Sequence, residues 1–144
     1  DMARLKELTE ELDISEEVQF LGKIMMPELA KVYRMGTMFA TGSETETQGI
    51  VLIEAAATGL PLVAVNAGAV GEICVYGFNG ELVEAGNVEA FKEAMKKILL
   101  DKKLQKEYSK NSLEISKKHD LRHTLKRFEE IYEEAIRLKH AEAE

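Results

Sequence analysis

Short apolar segments alternate with helix-patterned segments along most of this chain, and this alternation limits the fold more than any other feature. The clearest strand is Leu62–Val65, where four apolar residues follow one another. Such continuity is typical of a parallel strand that is covered on both faces. Strands that alternate with helices predict an α/β domain with a parallel sheet flanked by helices. The predicted strands are residues 18–21, 37–40, 62–65 and 80–83.

The rest of the pattern is helical, and it dominates the carboxyl-terminal region. We expect helices at about residues 1–12, 27–35, 49–58, 72–75, 87–100, 102–117 and 120–138. Length and pattern favour one domain over residues 1–139 and a flexible tail over residues 140–144. The last helix carries an apolar stripe that favours packing on its own domain over a coiled coil, because two heptads are short. The stripe consists of Leu121, Leu125, Phe128, Tyr132 and Ala135.

Composition and charge exclude several classes of partner. The formal net charge is −7 over 144 residues, which disfavours nucleic acid because binding a polyanion needs a basic face. No apolar run is long enough to span a membrane. A single cysteine, Cys74, cannot form an internal disulfide, and this favours a reducing, cytoplasmic compartment, with the full-length protein at most peripheral to a membrane. The histidines lack ligand-like companions, so we expect no metal site.

The segment 43–55, SETETQGIVLIEA, carries the functional argument. It follows a predicted strand and opens a helix, and ligands of open parallel sheets bind outside the carboxyl ends of the strands. The first N–H groups of a helix are unpaired and partly positive, so they suit a phosphate or diphosphate. Glu46 and Glu54 lie eight residues apart around this helix start. Two carboxylates that flank a phosphate cradle would suit the two sugars of a sugar nucleotide.

The spacing Glu-x7-Glu before an alanine-rich helix, followed by the helix exit GLPLVA at residues 59–64, gives a specific resemblance. The chain resembles the retaining glycosyltransferases with two facing Rossmann-like domains (GT-B fold), family 4 or "glycosyl transferases group 1". The match is to the carboxyl-terminal, donor-binding domain. The segments FLGK at 20–23, GEI at 71–73 and GFNGELV at 77–83 follow the family's order. The resemblance implies a nucleoside diphosphate sugar as donor, a lipid or saccharide acceptor, and no metal or other cofactor.

Residue roles follow from the resemblance at matching positions. Glu46 is the candidate catalytic-site residue and would bind hydroxyls of the transferred sugar, and Glu54 would bind the ribose hydroxyls. Gly68 would line the sugar side. The remaining candidates form two groups. The first would hold the sugar and diphosphate, largely through backbone, and the second would lie near the base. The first group is Gln48, Gly49, Ile50 and Val51, and the second is Gly22, Lys23 and Ile24.

The sequence also departs from the family pattern. The family's donor domain begins with two strands that precede this sequence, and a loop there supplies an arginine and a lysine to the diphosphate. The acceptor domain is absent as well, so we expect the chain not to catalyse transfer alone. Two alternatives stay open: a sugar-nucleotide epimerase of the same architecture and a non-catalytic assembly domain.

The missing strands have a consequence for the sheet. In the strand order 3-2-1-4-5-6, residues 18–21 and 37–40 correspond to the third and fourth strands, and the pair between them is missing. Either residues 18–21 pair directly with residues 37–40 in a four-stranded sheet, or two chains meet at the open edge. We predict the second outcome, a homodimer.

Overall fold

The structure is a computed structural model that describes residues 2–141. Within this range the strands are β1 (Phe39–Thr41), β2 (Leu62–Val65) and β3 (Gly80–Val83). The helices are α1 (Met2–Glu11), α2 (Glu28–Met35), α3 (Ile50–Ala57), α4 (Val70–Ile73), α5 (Val88–Leu100), α6 (Lys102–Lys118) and α7 (Leu121–Ala141).

The three strands form one parallel sheet in the order β1-β2-β3. Phe39 is opposite Leu62, and Leu62 is opposite Gly80, so the carboxyl ends of all three strands lie along one edge. Each connection between parallel strands carries a helix, as a crossover requires. The predicted fold class, an α/β domain with a parallel sheet flanked by helices, is confirmed.

The central strand β2 is buried along its whole length because helices cover both of its faces. Leu62 and Ala64 point into a core shared with α3, α4 and α6. Val63 points to the other side, into a core shared with α5 and α6. The continuous apolar run in the sequence reflects this two-sided burial.

Local capping fixes where the helices after the sheet begin. The side chain of Asn87 accepts a hydrogen bond from the N–H of Ala90 at 3.0 Å and so starts α5. Asp101 accepts bonds from the N–H groups of Lys103 and Leu104 at 2.9 and 3.0 Å. Asparagine and aspartate are favoured at this position because their oxygens satisfy N–H groups that have no partner within the helix.

The predicted first strand is wrong. Residues 18–21 form no ladder, and the sheet within residues 2–141 has three strands, so the four-stranded alternative does not occur either. The neighbours that the Rossmann order gives this strand correspond to no segment of the sequence. Without a partner for its N–H and C=O groups, an extended apolar segment has nothing to hold it in a sheet.

Helix α7 also differs from expectation. Its apolar stripe was expected to pack on the domain, but Leu121, Leu125, Phe128 and Tyr132 are 52–69% exposed. The helix continues through Ala141, so it extends two residues into the segment predicted as a tail. Residues 142–144 of the predicted tail lie outside the described residues. None of the helices in residues 2–141 combines the length and apolarity that crossing a bilayer requires.

Candidate nucleotide-binding site at the start of helix α3

The two candidate carboxylates lie on either side of the start of α3. The loop after β1 leaves the carboxyl edge of the sheet, carries Glu46, and enters α3 at Ile50. Glu54 is the fifth residue of the helix and is half-buried. The predicted placement of one carboxylate in the loop and one a turn into the helix is therefore confirmed.

Glu46 caps the helix start with its own carboxylate. Its Oε1 atom accepts hydrogen bonds from the N–H of Gly49 at 2.9 Å and the N–H of Gln48 at 3.3 Å. The N–H groups of Ile50 and Val51 have no hydrogen-bond partner within the described chain. Both residues are exposed. These two donors, and not all four that the sequence suggested, are free to meet an anion at the positive end of the helix.

Gly49 has a structural reason to be glycine that the sequence analysis did not give. Its φ is +67°, in the left-handed region. An added Cβ would collide with the Cδ1 atom of Ile73 in the core. The missing side chain therefore lets α3 pack against α4.

Gly68 brings the loop after β2 against Glu46. Its φ is +53°, and an added Cβ would collide with the carbonyl oxygen of Glu46. The structure thus places two of the predicted site residues in contact, although 22 positions (68 − 46) separate them in the sequence. This contact agrees with the expectation that the loop around Gly68 borders the same site.

Glu54 has a partner that sequence reasoning missed. The hydroxyl of Tyr33, on α2, donates a hydrogen bond to the Oε2 atom of Glu54 at 3.1 Å. The Tyr33 ring makes an edge-to-face contact with Phe39 of β1, with 5.8 Å between ring centroids. Burial, with a smaller contribution from the hydrogen bond to Glu54, raises the pKa of Tyr33 to about 12. The hydroxyl therefore stays protonated throughout the neutral range and can donate its hydrogen bond to Glu54.

The second group of candidates, those expected near the base, lies in the segment between α1 and α2. Gly22 has a φ of +67°, in the left-handed region. Lys23 is exposed and Ile24 is half-buried. Among residues 2–141 no hydrogen bond or ion pair joins Gly22, Lys23 or Ile24 to Glu46 or Glu54. Their role beside the base stays a prediction.

A second concave region lies at the same edge of the sheet, on the α5 side, and the sequence analysis did not foresee it. It is a cleft of about 240 Å³. Two carboxylates, those of Glu44 and Glu84, line it, and no cationic side chain does so in the part of the chain described. The α3 start also carries two carboxylates, but it offers two free N–H groups, so it is the better candidate for an anion. The lining residues are Gly42, Glu44, Val65, Glu84, Gly86, Asn87, Val88 and Phe91.

The structure also bears on two other kinds of site, a reactive cysteine and a metal centre. Cys74 is buried, and burial raises the pKa of its thiol to about 12. It is therefore not a thiolate at neutral pH, and only the thiolate form is reactive. In residues 2–141, no three histidine, cysteine, aspartate or glutamate side chains cluster as metal ligands would. The expectation of a metal-independent site stays a prediction.

The parallel sheet and its flanking helices define a Rossmann-like α/β domain. Comparison with known proteins identifies the family of this domain. The family model described as "Glycosyl transferases group 1" matches residues 1–114. The chain belongs to this family, as the sequence motifs predicted.

Individual relatives agree with this assignment. An uncharacterised glycosyltransferase of Methanocaldococcus jannaschii is 30% identical over 117 residues, which are 81% of this chain and 33% of that protein. The D-inositol 3-phosphate glycosyltransferase of Corynebacterium urealyticum is 31% identical over 128 residues, 89% of this chain and 30% of that protein. The chain therefore spans about a third of the length of these relatives.

A solved structure confirms the fold. Sucrose-phosphate synthase from Thermosynechococcus elongatus superposes with a TM-score of 0.86 at 25% identity, over 94% of this chain and 34% of that one. The fold is that of a GT-B glycosyltransferase domain.

Proposed function

We propose that this chain is the donor-binding portion of a retaining glycosyltransferase, which transfers a hexose from a nucleoside diphosphate sugar to a lipid or saccharide acceptor. The observation that carries the proposal is the start of α3. Two free N–H groups, those of Ile50 and Val51, lie between the carboxylates of Glu46 and Glu54. The name of one relative in the family, D-inositol 3-phosphate glycosyltransferase, supports transfer of a sugar.

Each group has a role that follows from its chemistry. The N–H groups of Ile50 and Val51 bind the diphosphate, and the helix dipole stabilises the charge that develops on it as it departs. Glu54 accepts hydrogen bonds from the ribose hydroxyls. Glu46 accepts hydrogen bonds from the transferred sugar, chiefly through Oε2, because Oε1 already receives two backbone donors.

The proposal also accounts for the charge balance of the site. Glu46 and a bound diphosphate are both anionic and would lie at the same helix start, so their repulsion weakens binding unless cations lie nearby. The family places an arginine and a lysine beside the diphosphate, in the loop that precedes the matching part of this sequence. We therefore expect the 144-residue chain to bind nucleoside diphosphates weakly. The family match favours transfer over the epimerase alternative.

Calorimetric titration with uridine, guanosine and adenosine diphosphates tests the proposal. The chain should bind at least one of them saturably, and Glu54→Gln should weaken that binding by about 1–3 kcal/mol, which is about fivefold to 150-fold. Glu114→Gln is the matched control, since Glu114 is exposed on α6 and receives no hydrogen bond within the described residues. Absence of binding to all three nucleotides favours the assembly-domain alternative. Equal effects of the two variants reject the assignment of Glu54.

A further inference from the structure

Tyr33 is the feature that the proposed function leaves unused. It lies on α2, outside every motif that the sequence resemblance rests on, and yet its hydroxyl is 3.1 Å from the Glu54 carboxylate. The hydrogen bond crosses from α2 to α3 and spans 21 residues of sequence.

We propose that Tyr33 is a positioning residue that holds the Glu54 carboxylate in the orientation that receives the ribose hydroxyls. This inference rests on the proposed function and deepens it, since it names a residue that determines recognition of ribose. Tyr33 itself does not touch the nucleotide. It acts by fixing one carboxylate oxygen so that the other oxygen faces a constant direction.

The geometry supports this role in two ways. First, the Tyr33 ring is itself fixed, because it packs on the core beside β1 and meets Phe39 edge to face. A hydroxyl on a fixed ring defines a fixed point for the carboxylate, whereas a donor on a long flexible side chain would not. Second, only Oε2 of Glu54 is engaged, and Oε1 has no hydrogen-bond partner within residues 2–141. The free oxygen and the remaining lone pair of Oε2 together can receive two neighbouring hydroxyls.

A purely structural reading makes a different prediction. If the bond only ties α2 to α3, its loss lowers stability and affects every nucleotide alike. If it positions Glu54 for ribose, its loss affects only ligands that carry the ribose hydroxyls. A ligand without those hydroxyls therefore separates the two readings.

The experiment titrates the chain and its Tyr33→Phe variant with the nucleoside diphosphate that binds best among the uridine, guanosine and adenosine forms. Each titration is repeated with the 2′,3′-dideoxy form of the same nucleotide. Phenylalanine keeps the ring and its contact with Phe39, so the fold is expected to persist, and the midpoint of thermal unfolding checks this. Tyr132→Phe is the matched control, because Tyr132 is exposed on α7 and has no hydrogen bond among the described residues.

Tyr33→Phe should weaken binding of the ribonucleotide about threefold to tenfold and leave the dideoxynucleotide unchanged, as loss of one hydrogen bond that acts indirectly predicts. In a Glu54→Gln background the same substitution should have no further effect, since there is no carboxylate left to orient. Equal losses for both nucleotides, or no loss for either, would overturn the inference and leave the proposed function standing. A parent chain that binds neither nucleotide, or binds both equally, would instead overturn the assignment of Glu54 to ribose, and the inference with it.

Discussion

Glu46 occupies two of the N–H groups that a diphosphate would otherwise find at the start of α3. Its carboxylate takes the place of an N-terminal cap, and its backbone carbonyl oxygen lies against Gly68. The residue therefore serves the fold as well as the proposed site. These two roles predict opposite effects on stability and on nucleotide affinity when the carboxylate is removed.

Glu46→Ala should lower the free energy of unfolding by about 1 kcal/mol, the usual cost of losing a helix cap. The same change should not weaken binding of nucleoside diphosphates, because it frees the N–H groups of Gln48 and Gly49 and removes a nearby negative charge. Urea unfolding and calorimetry measure the two quantities. Glu44→Ala, two residues earlier in the same loop, is the control, since no hydrogen bond reaches Glu44 within residues 2–141. A fall in nucleotide affinity with Glu46→Ala would contradict the division of roles between Glu46 and Glu54.

Glu81 shows how the fold keeps a carboxylate inside the core. It is 5% exposed, and its Oε1 atom accepts hydrogen bonds from the hydroxyl of Tyr108 and the ammonium group of Lys97, both at 2.6 Å. Tyr108→Phe leaves this buried charge with one partner fewer, so it should lower the free energy of unfolding by about 1.5–3 kcal/mol at about pH 8. Urea unfolding is the measurement. A loss below about 0.5 kcal/mol would show that Lys97 alone satisfies the carboxylate.

The same contact predicts a dependence on pH. Burial, followed by the hydrogen bond to Glu81, raises the pKa of Tyr108 above its ordinary value of 10.0. The folded chain therefore holds this proton to a higher pH than the unfolded chain, so its contribution is present below about pH 10 and is lost as the pH rises further. Tyr108→Phe should reduce the fall in stability between about pH 8 and about pH 11, and Tyr132→Phe should not. An identical fall in the parent and in Tyr108→Phe would reject this origin.

At the scale of elements, the sequence predicted best what local chemistry determines. Strand β2 follows from an apolar run, and the start of α5 follows from the Asn87 cap; both are local signals. Residues 18–21 carry the same apolar pattern and form no strand, because a strand also needs a neighbour. An apolar pattern indicates that a segment can form a strand, but whether it pairs depends on segments elsewhere in the sequence.

The residues of the candidate site also divide into those that local sequence predicts and those that it does not. Glu46 and Glu54 were predicted because they flank one helix start within a short segment. The bond from Tyr33 to Glu54 and the packing of Gly49 against Ile73 were not predicted, because each joins different elements through the fold. Residues that support a site from another element leave no local signal in a single sequence.

The absence of a ladder at residues 18–21 predicts fast hydrogen exchange. Their N–H groups have no hydrogen-bond partner within the described residues, whereas those of Leu62–Val65 belong to the centre of the sheet. Exchange monitored by mass spectrometry should therefore be complete at residues 18–21 while β2 is still protected. Protection of residues 18–21 comparable to that of β2 would show that a strand forms there after all.

For the whole molecule, the β1 edge of the sheet is the surface that bears on association. β1 pairs with β2 on one side, and its other side has no strand partner within residues 2–141. An unpaired edge invites association, so we predict a homodimer, twice the 16.1 kDa of one chain. Sedimentation at micromolar concentration measures this. A single species of 16.1 kDa would contradict the prediction.

The central claim is that an anionic donor binds at the start of α3, and amide chemical shifts test it most directly. A ¹⁵N-labelled chain is titrated with the nucleoside diphosphate that binds best, and the backbone amide shifts are followed residue by residue. The account predicts that the largest shifts occur at Ile50 and Val51, whose N–H groups are free in the structure. Shifts confined to Gly86, Asn87 and Val88 would place the ligand in the cleft beside α5 and would contradict the account.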